Sequence, residues 1–135
     1  MNKEILREAI YGFISFYTQD ELERLDLRFV ADKFVDEEFY NNQKGGSNYW
    51  IEKVFVKDDD YKGAKYSSDV ISKGGELIVK TMDNDTKRLT DNMMVAGIQK
   101  YIDEGGKHFP FNGSADAYTY DTILQYALFD EIVYG

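Results

Sequence analysis

Residues 45–57 read GGSNYWIEKVFVK. Before Gly45 the apolar residues recur at helical spacing, and after Gly46 they crowd into an aromatic and β-branched run. The two glycines therefore mark a change from helix to strand. Gly45 is expected to end a helix in the left-handed conformation, and Gly46 lets the chain reverse. Ser47 and Asn48 are turn formers. The run from Tyr49 to Lys57, which holds the only tryptophan, Trp50, reads as the first strand. Trp50, Val54 and Val56 fall on one alternating set and Ile51 and Phe55 on the other, so the strand is expected to be covered on both faces.

On the N-terminal side, Ile5, Ala9, Ile10, Phe13, Ile14 and Tyr17 predict a helix over 2–17. Thr18 stands three residues before Glu21, the capping-box spacing, and starts a second helix near Gln19 that bends near Asp26 and resumes through Phe39. Leu22, Leu25, Phe29, Val30, Phe34 and Val35 form its apolar stripe. On the C-terminal side, Asp58-Asp59-Asp60 ends the strand, and the segment Ala64 to Ser72 carries only weak signals. Gly74-Gly75 turns the chain into ELIVKTM, a strand over Glu76 to Met82. Asp83-Asn84-Asp85 is a tight turn, and Lys87 to Leu89 pairs back as a short third strand. Thr90 or Asp91 caps a helix with Met94, Ile98, Tyr101 and Ile102 on one face. Gly105 closes it, a loop follows around His108 and Pro110, and a last helix over Thr119 to Phe129 turns Tyr120, Ile123, Leu124, Ala127 and Leu128 inward. The apolar tail EIVYG is expected to dock on the core. The order predicts an α+β fold with two N-terminal helices, a small, mainly antiparallel sheet of about three strands, and two C-terminal helices. Residues 1–135 read as a single globular domain, with no repeat or linker.

Composition narrows the chemistry. Hydrophobic residues make up 43% of the chain and aromatics 16%, which points to a folded core. There is no Cys and one His, His108, so thiol catalysis, zinc-thiolate sites and disulfides are ruled out and a four-ligand zinc site lacks donors. The aspartate runs at 58–60 and 83–85 lack the spacing of a calcium loop, and the paired glycines lack the phosphate-cradling patterns. No nucleophile–base pair stands out, so the expectation is a protein without enzymatic activity, cofactor or metal. The chain has no run of apolar residues long enough for a membrane span and no signal-peptide pattern, which favours a cytoplasmic protein.

The formal net charge is −9, and it is uneven. Asp20, Glu21, Glu23, Asp26, Asp32, Asp36, Glu37 and Glu38 crowd the second helix, and residues 108–135 contain no Lys or Arg. Such a field disfavours direct nucleic-acid binding and attracts basic proteins. Asp20, Glu21, Glu23, Asp32, Asp36, Glu37 and Glu38 are the candidate partner-facing acids, although a solvated helix face accounts for the same run. The middle of the chain interleaves Tyr49, Trp50, Phe55, Tyr61 and Tyr66 with lysines, a mixture that suits a nucleotide as well as an ordinary half-buried strand. The candidate binding residues there are Asn48, Tyr49, Trp50 and Lys53. The aromatic content fits a homodimer interface and a well-filled monomer core equally.

Four stretches in register resemble a group of small uncharacterised proteins encoded by phages, prophages and conjugative elements of Firmicutes. They are GGSNYW, SDVISKGGELIV, RLT leading into MMVAGIQKYIDEGG, and DTILQYALFDEIVYG, over roughly residues 40 to 135. That pattern has Gly where this chain has Asp130. The resemblance implies a mobile-element origin in a bacterial host and no particular reaction. By analogy with small acidic phage proteins, it suggests a counter-defence inhibitor of anti-CRISPR or anti-restriction type. Its carboxylates would bind a basic host partner such as a defence nuclease or effector complex. The alternative is a module that sequesters a nucleotide immune signal.

Overall fold

The computed structural model describes residues 35–36, 38–40, 46–108 and 115–135. The helix expected over 2–17, most of the one expected over 19–39, Gly45, and residues 109–114 of the loop around His108 and Pro110 lie outside the described residues. Residues 35–36 and 38–40 are helical, as expected for the end of the second helix. Three strands follow: β1 (Ile51–Val56), β2 (Leu77–Thr81) and β3 (Thr86–Leu89). Two helices close the order: α1 (Asp91–Asp103) and α2 (Ala117–Phe129). The fold is α+β, with a three-stranded antiparallel sheet in the order β1-β2-β3.

Ser47–Tyr49 is a 3-10 turn and not the start of the strand, which begins two residues later than expected. The expectation of a strand covered on both faces also needs correction. Ile51 pairs with Thr81 and Lys53 with Lys80, so β1 carries one extra residue between them. This bulge reverses the alternation and brings Ile51 onto the same face as Val54 and Val56. Those residues pair with Thr81, Val79 and Leu77 on the inner face. Phe55 is left on the outer face, 41% exposed, with the Lys53 ammonium 5.0 Å from its ring centre. Ion pairs Lys80–Glu52, Lys57–Glu76 and Arg88–Glu76 ride on that side and at the sheet ends. They are partly exposed and add little to stability.

The β2–β3 turn forms where Asn84 takes a left-handed conformation and its N–H donates to the Thr81 carbonyl. Between β1 and β2 the chain makes a 3-10 segment, Ser67–Lys73, that buries Val70 and Ile71 and ends at a left-handed Gly74. The Thr90 hydroxyl caps α1 by accepting from the Met93 N–H, and Gly105 follows α1 at φ 89°. A capping box starts α2: Asp116 accepts from the Thr119 N–H while the Thr119 hydroxyl accepts from the Asp116 N–H. Its far end is capped by Asp130 in the left-handed region, φ 60°.

The core forms where α1 and α2 pack on the inner sheet face. Leu77, Val79, Leu89, Met94, Ile98, Ile123 and Leu124 are fully buried there, with Trp50 at one end. Gly97 lets α1 approach α2 closely, since a methyl group on it would lie 2.8 Å from the Ala127 Cβ.

Candidate functional site

Asp121 is the one charged residue in α2, and it is buried. A lone buried carboxylate must be compensated by donors, and the 3-10 turn supplies them. Ser47 Oγ and Trp50 Nε1 each donate to Asp121 Oδ1 at 2.7 Å. The Tyr49 hydroxyl donates to Asp121 Oδ2 at 2.5 Å, and Gln125 Nε2 to the same oxygen at 3.2 Å. A 3-10 turn of three residues points Ser47, Tyr49 and Trp50 toward one atom group in a way that an extended strand, alternating sides, could not. Carboxylate–hydroxyl bonds of this kind are charge-assisted and hold the turn to α2.

Gln125, one turn further along α2, fixes the tail. Its Oε1 accepts from the Val133 and Tyr134 N–H groups at 2.9 and 2.8 Å, and its Nε2 donates to the Tyr134 carbonyl at 3.1 Å. The Tyr134 ring then stacks on Trp50 with centroids 5.1 Å apart, and its hydroxyl donates to Asp83 Oδ2 at 2.8 Å. The tail does dock, as expected, but through Gln125 and Tyr134. Ile132 and Val133 remain 46% and 49% exposed.

Beneath this network lies Glu38, 2% exposed, with neither carboxyl oxygen hydrogen-bonded among the described residues. Burial pushes its carboxyl up to about 8; Ser47 draws it partway back, and the Asp121 charge adds to the rise. Both the hydroxyl and the backbone N–H of Ser47 approach Glu38, but the one hydroxyl proton is committed to Asp121. Burial of the Tyr49 hydroxyl, its bond to Asp121 and the charge there push that phenol up to about 12. The ring itself stays 53% exposed.

Tyr49, Asp121 and Gln125 also line a groove of about 610 Å³, together with Gly46, Ala117, Tyr118, Thr122, Ile132, Tyr134 and Gly135. Its size is in the range of ordinary ligand clefts. The lining carries three phenol rings, one side-chain carboxylate, and no Lys or Arg. Exposed acids lie on the segments that flank its Tyr134 and Ile132 edge: Asp83, which accepts from the Tyr134 hydroxyl, and Asp85 on the β2–β3 turn, and Asp130 and Glu131 in the chain just before Ile132. None of these four joins an ion pair among the described residues, and Lys87 stands over the Phe129 ring, 5.9 Å from its centre.

The residues singled out in the sequence divide between two places. Tyr49 faces the groove, whereas Asn48 and Lys53 line a separate hollow of about 300 Å³ with Phe39, Ile51, Glu52, Val54 and Ser67. Trp50 is fully buried, so it offers no face for stacking a ligand; it holds Asp121 and supports Tyr134 from below. Asp36 is exposed and accepts from the Ser68 hydroxyl at 3.1 Å. Glu38 is corrected from a partner-facing acid to a buried one, because its turn of helix packs over Ser47 and Asp121. Asp20, Glu21, Glu23, Asp32 and Glu37 lie outside the described residues. The sequence pattern alone does not single out Asp121, Gln125, Tyr118 or Tyr134. The available signal was a single acid, Asp121, inside an otherwise uncharged helix, with Gln125 one turn on.

No group of His, Asp or Glu side chains among the described residues converges to hold a metal ion, and no described helix is long and apolar enough to cross a membrane. No family model, curated protein or solved structure matches this chain.

Proposed function

We propose that this is a non-enzymatic interaction protein that engages a basic protein partner through the phenol-lined groove and the acids around it. The observation that carries the reading is electrostatic. A groove over a buried carboxylate, without a lining Lys or Arg and with Asp83, Asp85, Asp130 and Glu131 outside ion pairs, attracts cationic surface and repels phosphate. The net charge of −9 acts in the same direction. Together with the resemblance to phage and mobile-element proteins, this favours a counter-defence inhibitor acting in the bacterial cytoplasm on a nucleic-acid-handling host protein. The nucleotide-sequestering alternative has less support, because Trp50 is buried and Lys53 stands away from the groove.

The test is capture from lysate of a bacterial host on immobilised protein at about 50 mM and about 500 mM salt, where screening differs most for exposed charges. A basic nucleic-acid-handling protein retained at low salt and released at high salt is the expected result. Recovery of no such protein at either salt concentration sinks the reading.

A further inference from the structure

We infer that the groove above Asp121 receives an arginine side chain of the basic partner. The inference rests on the partner reading above and deepens it to one chemical group.

The groove's cation must be one that tolerates a carboxylate already in use. Asp121 accepts four hydrogen bonds, from Ser47, Tyr49, Trp50 and Gln125, so it offers charge but few vacant lone pairs. A compact, strongly hydrated ammonium entering here would shed water without recovering its bonds. A guanidinium is more weakly hydrated, stays charged, and stacks flat on aromatic faces. Such faces are what the groove provides. Trp50 covers one face of Tyr134, while Tyr49 and Tyr118 are 53% and 79% exposed. Tyr118 is the most exposed large apolar residue among those described, and it stands on the first turn of α2 at the groove wall. A ring held this far into solvent beside a carboxylate is well placed for a cation–π contact. The volume of about 610 Å³ exceeds what one side chain needs and leaves room for the backbone that carries it. A phosphate finds no cation in the lining, which argues against a nucleotide in this place.

The single tryptophan makes the test direct. Its indole N–H donates to Asp121 and should give one resolved proton–nitrogen resonance. The protein is titrated with an acetylated Gly-Gly-Arg-Gly-Gly peptide and with the same peptide carrying neutral citrulline. The expected result is a saturable shift of the Trp50 indole and Gly135 signals with the arginine peptide and none with citrulline. Tyr118→Ala should weaken binding about two- to five-fold, and Tyr118→Phe should keep it, since the ring and not the hydroxyl makes the contact. Both variants change an exposed side chain and should fold as the parent does. Equal responses to the two peptides, or no response to either, overturn the inference. If a basic partner is captured from lysate but the arginine peptide neither shifts these signals nor competes with it, the arginine site falls and the partner reading stands.

Discussion

Two side chains at the centre of the site have opposite electrostatic fates. Asp121 gathers four donors, whereas Glu38 has only Ser47 close by, and neither of its oxygens is hydrogen-bonded among the described residues. Burial, with the Asp121 carboxylate beside it and only Ser47 to offset them, favours the neutral form of Glu38. Glu38 therefore keeps its proton in the fold up to about pH 8, while in the unfolded chain it loses it near the ordinary value of 4.5. The folded state binds the extra proton between those values. The resulting stability is complete below about pH 4.5 and is lost as pH rises to about 8. Glu38→Gln keeps the neutral shape and removes the titration. It should stabilise the protein at neutral pH by on the order of 3 kcal/mol and flatten the pH profile of urea unfolding between these limits. Parallel profiles for the two proteins would show that Glu38 titrates normally. The stretch GGSNYW was legible as a turn, but its convergence on Asp121 was not. Ser47, Tyr49 and Trp50 are separated from Asp121 by more than 70 residues, and no local pattern reports such a contact.

The elements were read most reliably where a local rule governs them. Thr90 caps α1 and Gly105 closes it because the cap chemistry lies within a few residues of the helix end. The second and third strands lie within a residue or two of their expected bounds. The bulge in β1 was not legible, since it is defined by the strand opposite and not by β1 alone. The C-terminus of α2 holds one residue under backbone strain. Asp130 occupies the left-handed region at φ 60°, where glycine is unstrained and an L residue is not. Asp130→Gly should raise stability by about 0.5–1 kcal/mol, after the greater freedom of glycine in the unfolded chain offsets part of the relief. Denaturant unfolding measures it, and a less stable variant would mean that the Asp130 side chain contributes something the backbone strain conceals.

At the scale of the molecule, the excess of acids acts in two ways that salt separates. Self-repulsion among the charges destabilises the fold, and under the partner reading proposed above the same charges attract a basic protein. Raising salt from about 0.01 M to about 0.5 M shortens the screening length several-fold. It should raise the melting temperature of the free protein while weakening capture of the partner. A melting temperature independent of salt would indicate that the acids are already compensated. Composition and periodicity alone sufficed for the α+β class, the three short strands, the two C-terminal helices and the acidic character. Each of these depends on residues close in sequence or on sums over the chain. The groove, the burial of Trp50 and Glu38, and the paired roles of Asp121 and Gln125 were decided only by the tertiary structure. They depend on which turn meets which helix face, and that meeting determines whether a carboxyl group is buried among donors, buried with few of them or left exposed.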